Sequence, residues 1–165
     1  MKDFYIIRHA KSDWSIEGQA DIDRPLNARG YIDAHNMGKY FFQKNFRPDA
    51  MISSPAIRAL TTALIISDEI SFPKDLIMIV PELYETGEDQ YFKAIMSLPG
   101  QIQSAAIFGH NPIVSDLSSS LSGKPIDMPT CAVARFSLRV DNWNKLSREN
   151  IEFLEMITPK SILVT

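Results

Sequence analysis

Four short runs rich in apolar and β-branched residues, 4–7, 50–53, 76–80 and 104–108, alternate along this chain with stretches of helical character. That alternation constrains the fold more than any other feature. Strand, helix and strand in succession close most readily into a parallel sheet covered by helices on both faces. The first run, Phe-Tyr-Ile-Ile, is apolar throughout, as a strand buried on both sides must be. After it, residues 28–45 place Tyr31, Ala34, Gly38 and Phe41 at helical spacing behind Asn27, a suitable N-cap. Ser54-Pro55 and Asn111-Pro112 each put a capping residue before proline, the signal of a helix start. They predict helices to about Glu69 and about Leu121, and a shorter helix is predicted over 89–97. Strands are expected over 132–139 and 151–157, joined by a loop holding Asp141, Asn142 and Trp143, while 160–165 reads as a tail or short edge segment. The expectation is one α/β domain over 1–165, with three layers and a mostly parallel central sheet.

At 165 residues one domain is the natural size, and a globule of this length buries about 70% of the surface its unfolded chain exposes. The net charge of −3 gives no electrostatic reason to expect a nucleic acid or an anionic membrane as partner. Any bound anion needs a local cluster of basic side chains. Cys131 is the only cysteine, which excludes an internal disulfide and zinc sites built on several thiolates. The apolar run near the N-terminus is too short for a signal peptide, and no segment approaches the ~20 apolar residues needed to cross a bilayer. A cytoplasmic location is the default expectation. With no coiled-coil pattern, so is a monomer.

In an open parallel sheet, ligands bind beyond the carboxyl ends of the strands. Three places meet that rule here: Arg8-His9 after the first strand, Ser54 to Arg58 after the second, and His110 after the fourth. Two arginines, two histidines and two helix N-termini would converge there, a combination suited to a phosphate dianion. A neutral histidine can act as nucleophile, and a second, cationic one can stabilise the phosphoryl charge. Pro81-Glu82-Leu83-Tyr84-Glu85 follows the third strand and offers two carboxylic acids, Glu82 and Glu85, for proton transfer. Each residue has an ordinary alternative, as a surface arginine, a satisfied loop histidine or a solvated glutamate. His35 reads as structural or surface, Cys131 as a small buried residue, and Trp14 and Trp143 as packing groups.

Together these motifs resemble the histidine phosphatase superfamily, and within that phosphoglycerate mutase-like group the short SixA-type phosphohistidine phosphatases. The likeness rests on Arg8-His9-Ala10-Lys11, Arg24-Pro25-Leu26 with Gly30, Ser53-Ser54-Pro55 with Arg58-Ala59, Pro81-Glu82-Leu83 and Gly109-His110-Asn111-Pro112, in consistent order from residue 4 to about 157. It implies a metal- and cofactor-independent phosphatase with His9 as the phosphorylated nucleophile. Arg8, Arg58 and His110 would complete the phosphate pocket. Ser15 would stand where relatives often carry a phosphate-binding asparagine, and Glu85, two residues after Leu83, is preferred to Glu82 as proton donor. Ala10 replaces the signature glycine, adding a methyl group expected beside the pocket. Only 23 residues, 81–103, separate the third and fourth strands. Larger relatives build a lid there, so an open pocket that admits a phosphorylated protein side chain is expected. The alternatives are a small-ester phosphatase or phosphomutase on the same fold, or a non-catalytic phosphate-binding module. A metallohydrolase or a Ser-His-Asp hydrolase finds no supporting motif.

Overall fold

The computed structural model describes residues 1–163. Six strands, β1 (Lys2–Arg8), β2 (Ala50–Ser53), β3 (Met78–Ile79), β4 (Ser104–Gly109), β5 (Val133–Leu138) and β6 (Ile151–Ile157), form one sheet in the order β3-β2-β4-β1-β5-β6. The pairs β3–β2, β2–β4 and β4–β1 are parallel, whereas β5 runs antiparallel to both β1 and β6. The sheet is therefore mostly parallel, as the alternation predicts.

Helices cover both faces. On one side lie α1 (Ala28–Gln43), α2 (Ile57–Glu69) and the single turn α5 (Pro159–Ile162), and on the other α3 (Glu88–Met96) and α4 (Ile113–Ser122). Period-two alternation along the strands divides the core accordingly. Phe4 and Ile6 pack with Tyr91, Ile95 and Leu117, while Tyr5 and Ile7 pack with Ala34, Met37, Phe41 and Ile66. Truncating a side chain such as Phe41 to alanine removes contacts on every side and should cost ~3–5 kcal/mol.

Asn27 caps α1 as expected, its side chain accepting from the Gly30 N–H at 2.8 Å. Several boundaries differ from the sequence expectation by a residue or two, and three of the differences show how the chain enters an element. Helix α2 begins at Ile57 rather than at Pro55, because the Ser54 hydroxyl accepts from the Ala56 N–H and makes a separate turn first. Similarly, α4 starts after Pro112, which follows a cis peptide bond. The third strand shrinks to two residues because Lys74–Leu76 coils into a 3₁₀ turn. Its Met78 and Ile79 are exposed at the sheet edge, so their apolar character reports no core position. Part of the expected tail is α5, closed by a Thr158–Ser161 capping box and set against α1; residues 164–165 of that segment lie outside the described residues.

Candidate active site

The first corner of the site is built by β1, whose last residue is Arg8. The His9 backbone is pinned on both sides: its N–H donates to the Gly109 carbonyl at 3.0 Å and its carbonyl accepts from the Cys131 N–H at 3.0 Å. The ring is 2.7 Å from the Ala10 carbonyl oxygen through Nδ1. A carbonyl can only accept, so Nδ1 carries the proton and the lone pair of the neutral ring lies on Nε2. Burial pushes the His9 pKa down to about 3, the Ala10 carbonyl works against that, and His110, Arg58 and Arg8 lower it further. At neutral pH the ring is an uncharged base.

The second corner is the first turn of α2. The Thr62 hydroxyl donates to the Arg58 carbonyl at 2.7 Å and accepts from the Ala10 N–H at 3.0 Å, tying this turn to the end of β1. Arg58 donates Nη1 to the Asp21 carbonyl at 2.7 Å and Nη2 to Asp21 Oδ2 at 3.0 Å, while its buried Nε has no protein partner. Asp21 also accepts from the Tyr84 hydroxyl at 2.5 Å and from Arg24 Nε at 3.1 Å. The Tyr84 hydrogen bond, with those from Arg24 and Arg58, outweighs burial and holds the Asp21 carboxyl well below the usual carboxylate range.

The third corner follows β4. The Tyr91 hydroxyl accepts from the His110 N–H at 3.3 Å and donates to the Leu83 carbonyl at 3.1 Å. It passes so close to Gly109 that any Cβ there would collide with it. The His110 ring is 5.3 Å from that of His9; its Nε2 is 2.7 Å from Ser54 Oγ and its Nδ1 is buried without a partner. Burial, then the Arg58 charge, lowers its pKa to about 4, with Asp21 opposing. In the free protein His110 is therefore neutral; the cation expected from the sequence is for a ring beside a bound phosphate. Arg8 donates Nη1 to the Met128 carbonyl at 2.9 Å and keeps its Nε unpartnered.

Two adjoining cavities open onto these groups. One of about 320 Å³ is lined by Arg8, His9, Lys11, Trp14, Arg24 and Thr130 among others. The other, of about 360 Å³, includes Asp21, Tyr84, Glu85 and Thr86, and both are bounded by Arg58, His110 and Asn111. Arg8, His9, Arg58 and His110 are thus brought together. Glu85 sits on the second cavity with φ +55, whereas Glu82 lines a separate groove of about 290 Å³ between β3 and α3. Ser15 lines none of the three and is exposed, its N–H held by the Asp13 carboxylate at 2.7 Å. Ser12 instead lines the His9 cavity, its hydroxyl accepting from Arg24 Nη1 at 2.5 Å. The Ala10 methyl points into the core rather than the pocket. The sequence assigns no role to Asp21 or Tyr84, and it reads Ser54 as the start of a helix at this corner rather than as the partner of His110. Asp21 and Tyr84 meet across 63 positions through loop packing, which leaves no periodic signal; only the acid–base pair at Asp21 and Arg24 hints at the cluster.

Among the described residues, no three His, Cys, Asp or Glu side chains come together as a metal ion would require, and no helix is long and apolar enough to cross a membrane. His35 pairs with Glu69 on the surface, Cys131 is buried, and Trp143 is fully buried. Trp14, read from sequence as a packing group, is instead 76% exposed.

Buried and half-buried cations, unpartnered donors and two neutral imidazoles at the carboxyl ends of parallel strands are chemically suited to an oxyanion, with a free base in the wall. The model of the histidine phosphatase superfamily (branch 1) matches residues 4–91, and the chain belongs to that superfamily. It is 37% identical over 70 residues to the uncharacterized phosphatase PhoE of Bacillus subtilis (strain 168), a match covering 41% of this chain and 35% of that protein. The chain thus spans about a third of the length of the first curated relatives it matches. Among solved structures it resembles the phosphohistidine phosphatase candidate SixA from Agrobacterium tumefaciens, with TM-score 0.79 and 25% identity, covering 96% and 98% of the two chains. The protein histidine phosphatase SixA complexed with tungstate shares the fold at TM-score 0.82 and 21% identity, with 97% and 99% covered.

Proposed function

We propose that this chain is a metal-independent phosphatase that works through a covalent phosphohistidine on His9. One observation carries the reading: the Nδ1 proton is tied to the Ala10 carbonyl, which leaves the Nε2 lone pair beside Arg8, Arg58 and His110. Nε2 attacks phosphorus, and the bond from phosphorus to the leaving oxygen or nitrogen breaks. Arg8 Nε, Arg58 Nε and His110 bind the phosphoryl oxygens, and donors fixed in advance favour the charge of the transition state. As the dianion binds, its charge raises the low pKa of His110 and draws that ring toward the cation. Glu85 is the assigned acid: it protonates the leaving group, then takes a proton from the water that attacks phosphohistidine. Phosphate departs and His9 is regenerated.

The substrate in this reading is a phosphorylated side chain of a protein, phosphohistidine first. Supporting it, the connection between β3 and β4 folds into a 3₁₀ turn and α3, and α3 packs beside α4 rather than extending as an inserted lid. The test is hydrolysis of p-nitrophenyl phosphate in excess EDTA by the wild type and by His9→Ala. Turnover that survives chelation and disappears in the variant is expected; near-normal turnover by His9→Ala refutes the mechanism. A histidine-phosphorylated protein should then be a better substrate than small phosphate esters. The reverse ranking would favour the small-ester phosphatase.

A further inference from the structure

Among the described residues Trp14 is the most exposed large apolar side chain after Met1, yet it borders the cavity that holds His9. A lone exposed tryptophan is unremarkable on a surface, but this one is built into a fixed position. The Arg24 guanidinium carbon lies over its ring, 3.4 Å from the centroid. Arg24 is itself buried and immobilised by Ser12 Oγ and Asp21 Oδ1. The backbone is fastened too: the Asp13 N–H donates to the Pro25 carbonyl at 2.8 Å, and Ser12 bridges Leu26 in antiparallel fashion. One face of the indole is therefore held by a cation and the rest is offered to solvent at the mouth of the pocket.

We propose that Trp14 is the platform for the leaving group, and that it favours substrates whose phosphoryl group is carried on a planar ring, imidazole or phenol, over those carried on an aliphatic alcohol. A planar group joined directly to a phosphoryl held by Arg8 and Arg58 reaches outward toward the cavity wall, where an indole face supplies stacking area at little entropic cost because Arg24 already fixes it. This deepens the phosphatase reading by naming a specificity-determining residue, and it rests on that reading for the place of the phosphoryl group.

Binding separates the two ideas without requiring turnover. Phenylphosphonate and methylphosphonate, titrated calorimetrically into the wild type, Trp14→Ala and Trp14→Phe, present the same anion with and without a ring. The wild type is expected to bind phenylphosphonate about fivefold more tightly than methylphosphonate, the size of a single aromatic contact. Trp14→Ala should lose that preference and Trp14→Phe should keep most of it. A preference that persists in Trp14→Ala, or an equal weakening of both probes, overturns the inference while leaving the His9 mechanism intact. Binding of neither probe by the wild type overturns the anion pocket and the inference together. In turnover, Trp14→Ala should raise KM for p-nitrophenyl phosphate about fivefold more than KM for phosphoserine.

Discussion

Strand β1 carries a cation at each end, the buried Lys2 and the half-buried Arg8, and the two are treated in opposite ways. At its amino end Lys2, 1% exposed, donates to the Gly100 and Ile102 carbonyls at 2.7 Å each and lies 5.3 Å from the centroid of the Trp143 ring. At its carboxyl end Arg8 has one carbonyl partner and an unpartnered Nε, and nearby Arg58 Nε and His110 Nδ1 are likewise buried and unpartnered. A donor left unsatisfied in a low-dielectric site costs stability, typically ~1–3 kcal/mol each. A fold that closes one end of a strand with a satisfied lysine and leaves unpartnered donors at the other separates a stabilising end from the end that the proposed function makes the binding end. That separation is open to direct attack.

The largest expected effect is at His9. Replacing it with alanine removes the attacking nitrogen and should lower kcat by ~10³-fold or more. Above pH 7 the folded protein should lose only the packing of the ring and its hydrogen bond to Ala10. Toward pH 4 the variant also escapes the cost of keeping a buried imidazole neutral. Arg58→Ala follows, at ~10²-fold in kcat/KM. Retention of full activity by either variant would mean that the binding end is not where the chemistry occurs.

The pH dependence of stability provides the next effect. The folded pKa values of His9, about 3, and His110, about 4, lie below the ordinary histidine value of 6.5. Between those values and 6.5 the unfolded chain binds protons that the folded one does not. Stability is therefore complete above about pH 6.5 and falls as the pH drops toward 4, by on the order of a few kcal/mol. Asp21, with its carboxyl held low, adds to the loss in the same direction at still lower pH. Urea titrations between pH 4 and 8 should show this slope, and His110→Asn should flatten it. A flat profile in the wild type would mean that the two imidazoles are not held neutral.

At the other end, Lys2→Ala should cost ~2 kcal/mol in the same titrations while leaving phosphatase activity unchanged. The Gly100 carbonyl loses its lysine donor there, whereas the Ile102 carbonyl keeps Trp143 Nε1 at 2.9 Å. Arg8→Ala should do the reverse, depressing turnover with stability held or raised. If the two variants behaved alike, the contrast between the ends of β1 would be mistaken.

The same contrast explains what could be read in advance. Arg8, His9, Arg58 and His110 were legible because strand ends and helix starts follow from apolar runs and proline signals, and the sheet rule then puts them on one edge. What escaped depends on loops. Asp21 and Tyr84 come together by the packing of segments with no periodicity, and the neutrality of His110 follows from burial, which no local pattern encodes. β3 was overestimated because apolar residues at a sheet edge look the same in sequence as apolar residues in a core. Trp14 was misread for the complementary reason: residue type predicts burial only on average, and here a cation holds the ring at the surface.

The smallest expected effect tests the Asp21 cluster. Tyr84 donates to Asp21 Oδ2 at 2.5 Å, and burial together with that carboxylate pushes its pKa up to about 12, so the phenol remains a donor throughout the working pH range. Its removal in Tyr84→Phe leaves Asp21 still bound by Arg58 Nη2 and Arg24 Nε, and leaves Arg58 Nη1 on the Asp21 carbonyl. Arg58 should therefore keep its place, and kcat/KM should fall by less than about threefold, the scale of one modest hydrogen bond beside the site rather than in it. Asp21→Ala removes the carboxylate shared by both arginines and should cost more, about tenfold, with Arg58 held by the backbone carbonyl alone. If Tyr84→Phe proved as damaging as Asp21→Ala, the phenol would have to touch the substrate itself, and the binding end of the strand would extend to the loop that carries Glu85.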